Sequence, residues 1–336
     1  YNHLLDVTPN LTKIEGNQKV TVIIPAYNAG ETIHVAIESM LKQTWANIEI
    51  IIVDDCSQDE TYKVSKRYEQ DYPQVKVLKT PKNSGPYVAR NIALNVATGD
   101  FITINDADDW SHPEKIAIQV KHLIENSDVI ANTSEQARLT EDLTFFRRGK
   151  PGYYVFTNMS SLMFRKEALQ KLGYWDSVRF GADGEFKKRL KIVYGNEAVV
   201  DLKTGPLSFQ RQSKDSLTGN SAFGYHGYFM GARKEYFESY QKYHNEYPNQ
   251  LYYSYPMEKR PYPVPEPMLP QREDRQDGRL HFDVIIASDF RLLGGTNMSN
   301  IEEIKAQRDK GLKTGLIQLS RFDVTSTKVI NPKVRE

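Results

Sequence analysis

Four short runs of β-branched and aliphatic residues alternate with stretches of helical period up to Ile104, and nothing else in the chain restricts the fold as strongly. The runs are Lys19-Val-Thr-Val-Ile-Ile24, Ile48–Val53, Val75–Leu78 and Gly99–Ile104. A strand with one wet face alternates apolar with polar, whereas a continuous apolar run suits a strand buried on both faces. Between the runs, Glu31–Lys42 places Ile33, Ile37, Met40 and Leu41 at helical spacing, and Glu60–Tyr72 and Tyr87–Ala97 read as two further helices. Strand, helix and strand recurring at this pitch predict right-handed crossovers and a mainly parallel central sheet, hence an α/β fold.

The remainder is less regular. Tyr1–Gln18 reads as a lead-in arm. Glu114–Asn126 reads as a helix, Val129–Ala131 as a strand, Lys166–Gly173 as a short helix with a glycine stop, and Asp183–Val193 as a helix with Phe186, Leu190 and Val193 on one face. Ten of the 20 tyrosines fall between Tyr225 and Tyr262. Phe229, Tyr236, Tyr240, Tyr243 and Tyr247 form a helical stripe, which either packs on the preceding domain or offers aromatic faces to a sugar. Six of the 16 prolines lie between Pro256 and Pro270, so this stretch reads as an extended connector. Phe282–Ala287 reads as a buried strand, Ser299–Lys310 as a helix and Gly315–Leu319 as a strand, which together make one βαβ unit. The domain reading is an arm over 1–18, a first domain over 19–222, an aromatic helix and proline-rich linker over 223–275, and a partial Rossmann-like segment over 276–336.

Composition excludes several classes. Lys plus Arg number 44 and Asp plus Glu 43, a net charge of +1, which argues against a strongly basic nucleic-acid binder. Cys56 is the single cysteine, so neither an intrachain disulfide nor a Cys-rich metal site can form, and a reducing compartment such as the cytoplasm is expected. No run approaches the roughly 18 apolar residues of a membrane span, and no secretory leader is read. An opening tyrosine in place of methionine suggests a piece of something longer.

In an open parallel sheet, ligands bind beyond the carboxyl ends of the strands. Asp54-Asp55 closes the second run and Asp106-Ala-Asp108-Asp109 the fourth, while Asp100 begins the fourth at the opposite edge. Alternate residues of an extended segment point the same way, so Asp106 and Asp108 can converge on a hard cation such as Mn²⁺ or Mg²⁺, whose shell phosphate oxygens and water would complete. The plainer alternative is a helix N-cap at Asp109 or Ser111, just before Pro113. Asn83–Asn91 is a glycine turn opening a helix, with Arg90 placed to reach a phosphate or a carboxylate. No Gly-x-Gly-x-x-Gly and no P-loop is present. Asp183, in Gly181-Ala-Asp-Gly-Glu-Phe186, either complements a helix dipole or serves as a general base.

Taken together, these stretches resemble family 2 glycosyltransferases of the GT-A fold, over about Val20 to Thr218. Val22-Ile-Ile-Pro25-Ala-Tyr27-Asn28 resembles the family's opening strand and nucleotide-base loop, Val53-Asp54-Asp55-Cys-Ser57 its acidic pair, Asn83–Asn91 its glycine–arginine–asparagine helix start, and Asn105-Asp106-Ala-Asp108-Asp109-Trp its Asp-x-Asp. Ser161–Arg165, Gly173–Asp176 and Ala182–Arg189 resemble its acceptor half. The resemblance implies that Pro25, Tyr27 and Asp55, with Asp54 beside them, line the base pocket of a nucleoside-diphosphate sugar. It places Arg90 and Asn91 along the sugar-phosphate side, Asp106 at the ribose or a metal water, Asp108 on Mn²⁺ or Mg²⁺, and Asp183 as the base of an inverting transfer. The chain departs from the family in two places. Ala182-Asp183 stands where many members have Glu-Asp, so the helper carboxylate is missing or is Glu185. Arg211 is followed by Gln212 and not by a histidine, which leaves His226 as a candidate ligand. The implied partners are a nucleotide-sugar donor and a glycan or lipid-linked glycan acceptor of bacterial surface polysaccharide synthesis, with peripheral association at the inner face of the membrane as an option. Two other classes compete: an inactive GT-A module that binds glycans or a partner, and a nucleotidyltransferase, for which a basic glycine-rich loop is lacking. Phe282–Thr296 resembles the opening of a GT-B-type domain, against the alternative of a small appendage.

Overall fold

The computed structural model describes residues 1–147, 151–212, 231–270, 281–292, 294–319 and 329–335. Its first half follows the apolar runs. Val20–Ala26 (β1), Ile48–Asp54 (β2), Val75–Lys79 (β3) and Phe101–Ile104 (β4) pair in parallel in the order β3-β2-β1-β4. Every residue of β1 is buried, because the sheet is covered on both faces. Val20, Val22 and Ile24 pack with Ile33, Ile37 and Met40 of the helix Ile33–Leu41 (α1). Ile23 faces the other way, toward Ala89 and Ala93 of Pro86–Leu94 (α3) and Phe186. Thr61–Asp71 (α2) joins β2 to β3. Pro25 sits in a central strand without breaking it, since β4 stops pairing at Ile23↔Ile104 and demands no donor beyond that point.

Beyond β4 the sheet becomes mixed. Trp110–Ser111 (β5), Ala131–Leu139 (β6), Phe156–Thr157 (β7), Met163–Arg165 (β8) and Val199–Arg211 (β9) extend it as β4-β8-β6-β9-β5, with β7 on β6. β8 runs antiparallel to β4 and β6, and β9 parallel to β6. Two sequence expectations change here. The strand expected to end at Ala131 instead begins there and runs to Leu139, and β9 was not expected at all. Gly205, with φ at 71°, and Pro206 interrupt the apolar pattern of β9 where its pairing with β6 shifts register. Lys115–Glu125 (α4), Leu169–Leu172 (α5) and Ala182–Tyr194 (α6) lie where helices were expected.

The arm packs on this domain: Tyr1 and Leu4 are buried with Val35, Trp110 and Leu139. The tyrosine-rich helix is Ala232–Glu246 (α7), with Tyr236 and Tyr240 in the same core as α6; Phe229 lies outside the described residues. The proline-rich stretch that follows is packed against the domain. Tyr253, Tyr262 and Met268 join that core, and the buried Asp176 accepts hydrogen bonds from Tyr236 at 3.0 Å, from Tyr262 at 2.7 Å and from Arg260. Gly173 (φ 65°) is required by this docking, because a Cβ there would lie 2.0 Å from the Tyr253 carbonyl oxygen.

The C-terminal βαβ unit forms as a parallel pair, Val284–Ser288 (β10) and Thr314–Gln318 (β11), joined by Gly295–Asp309 (α8). Its first strand is not the buried one expected. Ile285 is 56% exposed, as are Leu316 and Ile317 at 42% and 49%, because two strands and one helix cannot cover both faces. The last described element, Pro332–Arg335 (α9), docks through Arg335 on Glu235 and Glu238 of α7. Among the described residues no helix is long and apolar enough to cross a membrane.

Candidate active site

The chain leaves β1 toward β2 and β3 on one side and returns to β4 on the other, so a crevice opens beyond the carboxyl ends of β1 and β4. Pro25 and Tyr27 end β1, the first buried and the second half exposed. Asn28 takes φ +48°; its N–H donates to Ser57 Oγ at 2.9 Å and its Oδ1 accepts the Gln58 N–H at 2.9 Å, which ties the loops after β1 and β2 together.

Asp54 is fully buried. One carboxylate oxygen accepts the Ser57 N–H at 3.3 Å, Lys79 Nζ stands 3.9 Å away, and the other oxygen has no hydrogen-bond partner. Asp55 is fully engaged: it accepts Thr80 Oγ1 at 2.9 Å, Ser84 N–H at 2.9 Å and Gly85 N–H at 2.7 Å. Burial pushes its pKa up, and these donors pull against that. Gly85, at φ 93°, makes the turn that Asp55 clamps and opens α3.

α3 then presents Tyr87, Arg90 and Asn91. Arg90 is buried, stacks 4.7 Å over the Tyr87 ring and pairs with Asp106 at 3.2 Å. Asn91 does not face a sugar phosphate. It is fully buried and spends its carboxamide on Trp175, donating to the carbonyl at 2.9 Å and accepting the N–H at 3.0 Å, so it builds the wall behind the crevice.

The acidic segment after β4 is a turn, not the extended strand expected, with the Asp109 N–H donating to the Asp106 carbonyl at 3.2 Å. Neither Asp109 nor Ser111 caps α4. Asp109 accepts the Arg211 N–H at 3.4 Å, and Ser111 donates to Asn105 Oδ1 at 2.8 Å. Asp106 is held by Arg90 and by the Ser160 hydroxyl, which donates to its other oxygen at 2.5 Å. Burial and the neighbouring Asp106 push Asp108 up to about 6, and burial and Asp108 push Asp109 well above the carboxylate range. Two cations that sequence reasoning missed face this turn. Lys115 on α4 is buried and pushed down to about 8 by that burial; it donates to Ser111 Oγ at 3.1 Å. Arg138 on β6 is buried, donates to Gln210 Oε1 at 2.7 Å and feels all three acids. Ser160, Lys115 and Arg138 lie on elements remote in sequence from the turn, and only the sheet order brings them to it.

Asp183 sits half-buried in the first turn of α6, with its Oδ1 accepting the Gly184 N–H at 2.8 Å. Burial, followed by the charge of Asp183, pushes Tyr87 up, and Arg90 and Asp106 act on the same phenol. Glu185 is not a helper carboxylate. It is fully buried and points into the core, where Arg189 donates to it at 2.7 and 3.0 Å and His244 Nε2 lies 3.0 Å away. Arg211 borders the acidic turn and pairs with Glu141 at 2.5 Å. His226 lies outside the described residues.

Asp106 and Asp108 offer the hard oxygen donors that Mn²⁺ or Mg²⁺ takes, and Asp108, crowded by Asp106, is the group a positive charge would relieve. Among the described residues no set of three Asp, Glu, His or Cys side chains converges. This donor pair fits an ion that keeps its remaining positions for phosphate and water.

The family model described as glycosyl transferase family 2 matches residues 21–241. YibD of Escherichia coli, an uncharacterized glycosyltransferase, is 42% identical over 100 residues, which are 30% of this chain and 29% of that protein. The succinoglycan biosynthesis protein ExoO of Rhizobium meliloti is 30% identical over 167 residues, 47% of each chain. The chain thus spans less than half the length of these curated relatives. Among solved structures, S. aureus TarS 1-349 in complex with UDP aligns at a TM-score of 0.49 and 22% identity, covering 58% of this chain and 61% of that one.

Proposed function

We propose, for a chain that belongs to glycosyl transferase family 2, that the crevice moves a sugar from a nucleoside-diphosphate sugar to a hydroxyl of a glycan acceptor, with inversion at the anomeric carbon. The observation that carries this reading is the acidic turn beyond the carboxyl end of β4, where Asp106 is held by Arg90 at 3.2 Å and by the Ser160 hydroxyl at 2.5 Å next to Asp108. Asp54, Asp55, Pro25 and Tyr27 form the base side of the donor pocket, and the clamped Gly85 turn brings α3 close to it. Asp106, fixed by Arg90 and Ser160, and Asp108 would hold Mn²⁺ or Mg²⁺, which when bound neutralises charge on the diphosphate. Arg90 adds a second positive charge where the leaving group departs.

The acceptor hydroxyl is a weak nucleophile. Asp183, half-open at the start of α6, takes its proton as the new bond to the anomeric carbon forms. The bond to the diphosphate oxygen breaks on the opposite face, and the diphosphate leaves with the electron pair. One displacement inverts the centre. The name of ExoO supports a polysaccharide product, and the parallel pair with its glycine turn at Gly294-Gly295 supports reading the C-terminal unit as the opening of a second, GT-B-like domain.

Release of nucleoside diphosphate across a panel of UDP-, GDP- and dTDP-sugars, with and without Mn²⁺, tests the reading. The expected result is Mn²⁺-stimulated release from one donor class, with Asp183→Asn lowering transfer by about 10³-fold while donor affinity stays within a few-fold. Near-normal turnover of Asp183→Asn, or no release from any donor, overturns it.

A further inference from the structure

Six of the exposed large apolar side chains cluster in one segment: Leu143, Phe145, Phe146, Tyr153, Tyr154 and Val155, with Phe145 at 53% and Tyr153 at 62% exposure. They lie on the described stretches that follow β6 (140–147) and precede β7 (151–155), and the backbone of the first is held by hydrogen bonds. Thr140 and Leu143 close a tight turn (Leu143 N–H to Thr140 O, 3.0 Å; Thr140 N–H to Thr144 O, 3.0 Å), with Leu143 forced to φ +64°. A β-branch-free leucine still pays strain there. The Phe146 N–H then donates to the Arg138 carbonyl at 2.8 Å, and Phe145 bridges Leu139. Phe145 is thus an aromatic ring displayed to solvent from a fixed backbone.

Two lines of contact run from these stretches to the acidic turn. One is aromatic: Tyr154 meets Phe145 at 6.5 Å between centroids, Phe145 meets Phe209 at 6.2 Å, and Phe209 stacks on Trp110 at 5.2 Å, the residue after Asp109. The other is polar: Glu141 pairs with Arg211, whose N–H donates to Asp109. The exposed rings are thus joined by packed contacts to the buried Trp110, and their segment by an ion pair to Arg211, both next to the acidic turn.

We propose that Phe145 and Tyr154 form an acceptor-side platform on which the pyranose rings of a glycan stack as its terminal hydroxyl reaches the crevice. This rests on the transferase reading above. Aromatic faces meet the C–H faces of sugars, and the phenol supplies an edge hydrogen bond. The charge argues against a lipid surface as the occupant: residues 141–155 carry three bases against two acids, short of the roughly four to eight clustered bases that read as anionic-lipid binding.

Saturation-transfer NMR on the full chain, with a mixture of cello-, malto- and chito-hexaose as the probe, tests the platform. Saturation of sugar ring protons is expected, reduced about five-fold in Tyr154→Ser and in Phe145→Ser. Tyr154 is not in the buried core, so its variant reports even if Phe145→Ser unfolds. Equal saturation in a folded Tyr154→Ser overturns the proposal. So does no saturation from any of the three glycans, or sedimentation with vesicles of one-third phosphatidylglycerol that is lost in the same variants. Nucleoside diphosphate release by the unaltered chain, measured alongside, separates the two claims: release without glycan saturation defeats the platform alone, and its absence defeats the transferase reading.

Discussion

Two buried clusters of charge in this chain look alike by composition and behave in opposite ways. At the acidic turn, Asp106, Asp108 and Asp109 crowd one another, so burial and mutual repulsion drive Asp108 and Asp109 upward even with Lys115 and Arg138 nearby. In the other cluster a single acid, Glu185, has Arg189 and His244 to itself. Burial pushes Glu185 up, but the two partners outweigh it and hold the carboxyl below its ordinary value. A carboxylate satisfied by its own protein is a structural member, whereas Asp108 and Asp109 are pushed up by burial and by neighbouring acids in spite of the cations around them. The comparison separates two acids of Gly181–Phe186: Asp183, proposed above as the base, is half-buried in the first turn of α6, and Glu185, two residues later, is fully buried on Arg189 and His244.

The largest effect should come from unbalancing the satisfied cluster. Arg189 also holds the Leu172, Tyr174 and Leu251 carbonyls, so Arg189→Met leaves Glu185 and three backbone oxygens without their cation. A loss of about 3–5 kcal/mol in urea unfolding is expected; an unchanged midpoint would break the contrast. The unsatisfied cluster should respond in the reverse sense. Asp108→Asn removes a repelled charge, so the ligand-free chain should unfold later, by about 1 kcal/mol, while donor turnover falls about 100-fold. A variant that is both less stable and inactive would place Asp108 with Glu185.

The sequence was most informative where burial leaves a one-dimensional signature. β1 to β4 read as unbroken apolar runs because helices cover both faces, and the acids of the candidate site follow directly at the ends of β2 and β4. β9 was hidden because its residues alternate between half-buried positions and a Gly-Pro interruption, and β8 because three residues carry no period. At the candidate site, position drew notice to Asp106, Asp108 and Asp183 but left helix-capping and dipole alternatives open, and the roles proposed for them came with the family resemblance. Position drew no notice to Arg138, Lys115 and Ser160, since each looks like an ordinary element residue until β6 and β8 are placed beside β4. Which of the two alternatives held for Glu185 was hidden for the same reason: its partner His244 is 59 residues away on α7, in a segment whose aromatic stripe gave no hint of a buried ion pair.

The smallest effect is a pH profile, and it sharpens the comparison further. Asp108 titrates near 6 when folded against about 3.8 unfolded. The folded state therefore holds more protons between those values, and its stability falls as pH rises through that window. Lys115 titrates near 8 when folded against about 10.5 unfolded. There the unfolded state holds more protons, and stability recovers as pH rises from about 8 to about 10.5. The acidic turn should thus give the ligand-free chain a trough at neutral pH, where most proteins are at their best. Reversible urea unfolding at about pH 4, 7 and 10 reads this contribution as the difference between the unaltered chain and the Asp108→Asn, Lys115→Met double variant, which should lack the trough; parallel profiles would show that neither group carries it. A nucleotide sugar bound together with Mn²⁺ should fill the same trough, because a cation beside Asp108 would relieve its repulsion by Asp106, and it should do so least in the chain lacking Asp108.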